Sequence, residues 1–178
     1  MDLHAYSFPE HRHRFACWTA ARAVQRSFAK SVMICKAIDA SGNLRYFVER
    51  GTVLNRDSFD EQHSVWCNRL MEDFRALDKF CSFGRAAKIV AIYLKTAVVI
   101  PDAGNNERSG VIHPPIDRIL LTGLSAKTKD KLFLAHPWTS FTESQYNEIK
   151  GRIKEHGLPF NWKLEVAWQV SAMDGIDE

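Results

Sequence analysis

The stretch GRAAKIVAIYLKTAVVI, residues 84–100, constrains the fold more than any other part of the chain. Ile89, Val90, Ile92, Tyr93, Leu94, Val98 and Val99 cover most of a helix circumference, and a helix apolar on nearly every side belongs in the middle of a core. Beyond its first turn it keeps two charged side chains, Lys88 and Lys95. Their spacing is nearly two turns, so both amines fall on one line with Gly84 and Ala91. An isolated buried ammonium is too costly to keep, so this line must meet a cleft, a carboxylate or solvent.

The rest of the chain supplies helices to surround it. A first helix is predicted over roughly residues 10–27, with Phe15, Trp18, Ala21 (or Arg22) and Gln25 at helical spacing. Ser31 is placed to cap a second, which ends at Gly42, and NLRYFVERG reads equally as a short helix or a strand. Ser58 and Glu61 form a capping box, with Phe59, His63, Trp66, Leu70 and Phe74 marking one face of a long helix to about residue 77. Ser82 caps the central helix, and PDAGNNERSG reads as a loop. A further helix opens at Pro114 or Pro115 and nears its end at Gly123; residues 125–138 stay open. Thr142 and Gln145 form a second capping box for a helix to Gly157, and Asn161 caps the last. The expected fold is all-α, a single compact domain over residues 1–178 with about seven helices.

Composition excludes some function classes. No run of about 18 apolar residues offers a membrane span, and the N-terminus lacks the apolar segment of a secretory signal, so a cytoplasmic protein is expected. The net charge of +3 tilts the surface towards anions. Cys17, Cys35, Cys67 and Cys81 contain no CxxC pair and the histidines no ligand spacing, so reduced thiols, no metal and no cofactor are expected.

Past the polar loop, the first carboxylate carried by the next firm helix is Asp117, in its first turn and 29 residues from Lys88. The order Gly84, Lys88, a buried helix with Leu94 and Ala97, then Pro115-Ile116-Asp117 and a helix with Arg118 and Leu121 resembles the helix-hairpin-helix DNA glycosylases. The long lysine-to-aspartate interval ending in IHPPID is most similar to their archaeal 8-oxoguanine branch. The same elements also resemble uncharacterised bacterial proteins. The glycosylase resemblance covers residues 84–124 and implies that Lys88 is an amine nucleophile with Asp117 as its carboxylate partner. It also implies a hairpin that holds a DNA phosphate, here at Ser82, Gly84 and Arg85, although one glycine stands where the family has Gly-x-Gly.

The residues themselves fit that chemistry. Base removal needs a nucleophile at the anomeric carbon, and an amine provides one while forming a Schiff base. Asp117 would accept the ammonium's proton and stabilise charge developing on the sugar. Lys95, one line away, and His113, ahead of two prolines, are candidate substrate contacts, as is Trp138, an aromatic face for an extruded base. HRHR, which contains Arg12 and Arg14, together with Arg22, Arg26 and Lys30 gives the first helix a basic character suited to a phosphate backbone. Glu165, set between tryptophans, needs a cation if buried, and the first helix is a candidate source. Two readings stay open: a DNA N-glycosylase, with or without lyase activity, acting on a modified purine; and a non-catalytic helical module that binds nucleic acid or protein.

Overall fold

The computed structural model describes residues 6–24 and 28–167. Eight α-helices run α1 (Phe8–Ala23), α2 (Ser31–Ala40), α3 (Leu44–Arg50), α4 (Arg56–Arg75), α5 (Phe83–Leu94), α6 (Glu107–Val111), α7 (Arg118–Thr128) and α8 (Glu143–Glu155). A π-helical turn (Lys95–Val99) extends α5, and 3₁₀ turns occupy Lys131–Leu134, Trp138–Ser140 and Trp162–Ala167. The fold is all-α, with no strand among the described residues.

α5 is the axis of the bundle, as its sequence requires. It packs against α1, α4, α8 and the 138–140 turn, and Ile89, Val90, Tyr93 and Leu94 are fully buried. On α4 the predicted face closes over it: Phe59, His63, Trp66, Leu70 and Phe74 are all buried. Each large apolar side chain so placed contributes about 1.5–3 kcal/mol relative to exposure. Phe47 joins Phe59 and Trp66 edge-on, which docks α3 as a helix rather than a strand.

α1 reverses the expectation for its face. Phe15 and Trp18 are about half exposed, while His13, Ala16, Cys17, Ala20 and Ala21 are buried. The cause is steric: α1 packs closely on α5, a helix already filled with branched side chains, so small residues bring the two backbones together. Gln25, Arg26 and Trp168 lie outside the described residues.

Several boundaries move for local reasons. Ser31 is the first residue of α2, behind Lys30 at the cap position. Asn55 caps α4 by accepting from the Ser58 amide at 2.9 Å, so Ser58 lies within the first turn. The loop after Pro101 contains α6, capped by Asn106. Pro114 and Pro115 form a buried extended lead-in, and the cap of α7 is Asp117. Gly123 sits inside α7 because a Cβ there would lie 1.9 Å from the carbonyl oxygen of Ala167. The Thr142–Gln145 capping box forms with both reciprocal bonds.

Candidate functional site

The first turn of α5 is set by Ser82, whose hydroxyl accepts from the Arg85 amide at 3.2 Å and donates to the Thr139 carbonyl at 2.7 Å. Gly84 then donates its amide to the Phe141 carbonyl at 3.1 Å. A Cβ on Gly84 would stand 2.0 Å from the Trp138 carbonyl oxygen, so this position is glycine because the 138–141 segment lies directly on it. One further turn along α5, Lys88 meets that same segment.

The Lys88 amine donates to Asp117 Oδ2 at 3.1 Å and lies 4.5 Å from the centroid of the Trp138 ring. The other carboxylate oxygen, Oδ1, accepts from the Leu120 amide at 2.9 Å and caps α7. Asp117 therefore divides its two oxygens between a helix terminus and an amine. The Lys88 side chain is 9% exposed and that of Asp117 16%, so the pair works in a partly desolvated setting where its attraction is strong and its loss costly.

Beside the pair lies a cleft of about 640 Å³. One wall is α7, through Arg118, Leu121 and Thr122; the other is the following chain, through Leu134, His136 and Trp138. It therefore opens between α7 and residues 134–139, with the Trp138 ring as the element common to cleft and ion pair. Sequence reasoning missed His136 and Thr122. Arg118 was legible as the neighbour of Asp117, whereas His136 belongs to a segment with no readable periodicity.

Lys95 does not join this pair. Its amine is held by Glu165, next to a second hollow of about 350 Å³ bounded by Val99, Gly104 and Trp162. The line of amines thus resolves into two ion pairs with two carboxylates, and the cation for Glu165 comes from the end of the central helix rather than from α1.

His113 also lies elsewhere. It is buried and bonds Asp60 at 2.6 Å through Nε2 and the Tyr146 hydroxyl at 3.1 Å through Nδ1. Lys150 holds the second Asp60 oxygen at 2.8 Å. The His63 ring stands 4.2 Å from that of His113. Burial pushes the His113 imidazole down to about 4, against the opposing pull of Asp60, and burial likewise holds His63 well below the usual histidine range. Both imidazoles are thus held towards the neutral form beside a charged Asp60–Lys150 pair, and His113 stands in the core apart from Lys88 and Asp117.

The expected phosphate contacts at the start of α5 are occupied within the protein. Ser82 is buried and committed to Thr139, the Gly84 amide is committed to Phe141, and Arg85 lays its guanidinium over the Phe28 ring at 5.1 Å. On α1, Arg14 is exposed and paired with Glu10 at 2.6 Å, and Arg12 is half-buried beside Glu10, Arg45 and Glu49. That end of α1 mixes both signs of charge.

Among the described residues, a group able to hold a metal is found away from this cleft: the ligand atoms of His13, Cys17 and Cys35 all lie within 4.8 Å of one another. Comparison of the chain with protein-family models, with curated proteins and with solved structures gives no match. No helix among the described residues is long and apolar enough to cross a membrane.

Replacing Gly84 by alanine is expected to destabilise the protein by about 1–3 kcal/mol, the usual cost of overpacking. The added methyl must push the Trp138 carbonyl outward and break the Gly84–Phe141 bond. Urea unfolding measures the loss; an unchanged midpoint would show that the 138–141 segment yields without resistance.

Proposed function

We propose that the protein is a DNA N-glycosylase of the lysine-nucleophile type, with DNA as its partner, acting on a modified purine. The observation that carries this reading is the contact between the Lys88 amine and the Asp117 carboxylate, 3.1 Å apart beside a cleft large enough for a nucleobase. Asp117 accepts a proton from the ammonium. The freed electron pair of Nζ attacks the anomeric carbon, the bond from that carbon to the base breaks, and its electron pair leaves with the base, which is then protonated. Opening of the sugar ring leaves an iminium on Lys88, from which strand cleavage by elimination is possible chemistry. Trp138 bounds the cleft and touches the amine, so a sugar reaching Nζ passes along or displaces its ring, and the same ring offers a stacking face for the base.

Borohydride trapping tests this directly. The protein, mixed with DNA duplexes carrying 8-oxoguanine or an abasic site, is expected to form a covalent adduct that is abolished in Lys88→Gln and retained in Lys95→Gln. Absence of both an adduct and a released base across a panel of modified purines would reject the enzyme.

A second reading, a non-catalytic nucleic-acid- or protein-binding module, is favoured by the outer face of α1. Phe15 and Trp18 stack there in the open, and Arg22 covers the Trp18 ring at 5.6 Å. Aromatic faces beside arginines suit a single strand. Base-independent binding that weakens steeply with salt, with no product, would be its signature.

A further inference from the structure

The α1–α2 contact brings together side chains that the chain order separates. His13 and Cys17 are four residues apart on α1, and Cys35 and Asp39 are four apart on α2, so each helix offers two ligand-type side chains on one face. The two faces meet. Cys17 Sγ and Cys35 Sγ each lie 3.6 Å from His13 Nε2, and Asp39 Oδ1 lies 3.2 Å from the same nitrogen.

These separations match one coordination chemistry. Zinc bonds of about 2.3 Å to sulfur and about 2.0 Å to nitrogen or oxygen put sulfur and nitrogen about 3.5 Å apart on neighbouring tetrahedral corners, and nitrogen and oxygen about 3.3 Å apart. A hydrogen bond accounts for the carboxylate at the imidazole nitrogen, but not for two thiols from different helices converging on that same nitrogen. The other ring nitrogen, Nδ1, has its own partner in the buried Tyr93 hydroxyl at 3.0 Å. A hydroxyl both donates and accepts, so it can take the Nδ1 proton and leave the Nε2 lone pair for a metal, as an outer hydrogen bond does for a ligating histidine. Cys17 Sγ is also 3.9 Å from Nδ1, so it stands beside the ring, and a rotation of the imidazole is what aims Nε2 between the two sulfurs.

We infer that His13, Cys17 and Cys35 form a zinc(II) site; Asp39, which reaches His13 Nε2 but stands outside the group of three, closes the fourth position by turning its carboxylate in towards the sulfurs. Two thiolates with an imidazole select a borderline-soft cation over magnesium or calcium. Binding releases two thiol protons to solvent. The two thiolates and the carboxylate exceed the metal's charge by one, and Arg45, which holds Glu10 and Glu49 and lies 3.5 Å from Asp39, offsets part of that excess. His13 and Cys17 are buried and Cys35 is half-buried, whereas Asp39 is 44% exposed, so the fourth corner faces water and is exchangeable. The site staples α2 to α1, and through Tyr93 to the central helix.

Cobalt(II) is the probe. Reduced, chelator-treated protein titrated with Co²⁺ is expected to bind one equivalent, giving the intense visible bands of a tetrahedral ion and near-ultraviolet thiolate-to-cobalt charge transfer. One equivalent of Zn²⁺ should erase both, and saturating zinc should raise the melting temperature by roughly 5–10 °C. Cys17→Ser or Cys35→Ser should each diminish the charge-transfer band and weaken binding by more than about 100-fold; Cys67→Ala should leave the spectrum intact. Asp39→Asn guards against a variant that fails to fold. With an exposed side chain changed, it should keep the charge transfer of two thiolates and shift only the visible bands. The assignment is overturned if the native protein shows no charge transfer, if the band survives replacement of both Cys17 and Cys35, or if the isolated protein holds those two sulfurs as a disulfide.

Discussion

Asp117→Ala is expected to cost about 3–5 kcal/mol of stability, the range for removing one partner of a buried ion pair, whereas Lys88→Met should be close to neutral or stabilising. The asymmetry follows from the two carboxylate oxygens. Removing the acid strips the cap from α7, worth about 1 kcal/mol, and strands an ammonium that is 9% exposed against the Trp138 ring. Removing the amine leaves the cap intact, and a methionine of similar length lies against the same indole. Asp117→Asn separates the two contributions, because asparagine caps as well as aspartate but carries no charge. A double-mutant cycle completes the test: Lys88→Met should rescue most of the Asp117→Asn loss. Urea unfolding of the four proteins reads it. Additive losses would mean that the amine already finds enough water to need no partner.

The same cycle bears on function. A buried ion pair that a hydrophobic pair of similar volume could replace without loss is weak support for a purely structural role. If Lys88→Met keeps or raises stability and abolishes adduct formation, the pair sits where stability and activity pull apart.

The fold was legible where one helix's own periodicity decides burial. α4 and α5 each carry their answer in side-chain spacing, and the Ser82 and Thr142 caps follow from local hydrogen bonding. It was illegible where a partner decides. Phe15 and Trp18 have the spacing of a core face, yet the core took Ala16, Cys17 and Ala20, because α5 leaves room only for small side chains. Gly123 reads as a helix end, yet it is kept small by the Ala167 backbone. The Lys88–Asp117 contact was accessible from order along the chain, since a buried amine needs an acid and Asp117 heads the next helix that the sequence marks firmly, α7. The His13, Cys17, Cys35 and Asp39 group was present as two four-residue spacings that mean nothing until the packing of α1 on α2 is known.

Acid should unfold this protein earlier than its carboxylates alone would require. His113 titrates at about 4 in the folded chain and near 6.5 once unfolded. As pH falls below about 6.5 the unfolded chain takes up a proton that the native state refuses, so stability is full above that value and is lost down to about pH 4. A difference of that size corresponds to about 3 kcal/mol. His63, buried against the same ring, is displaced in the same direction and adds to the slope. Asp60 acts lower. Burial raises it, but the bonds from His113 and Lys150 outweigh burial and hold it below its ordinary value, so its contribution is lost only as pH falls further. Protonating His113 also forces its Nδ1 to carry a hydrogen towards the Tyr146 hydroxyl, which must then turn its own proton away inside a sealed aromatic cluster. Urea midpoints at pH 7.5, 6, 5 and 4.5 should therefore fall steeply in the native protein. His113→Gln should be less stable at pH 7.5 but visibly flatter, because glutamine does not titrate and His63 is then the only histidine of that cluster left to drive the loss. Since His13 is also lowered by burial, the difference between the two proteins is the decisive quantity. Parallel curves would remove His113 as the acid-sensitive element and transfer that role to His63 and His13.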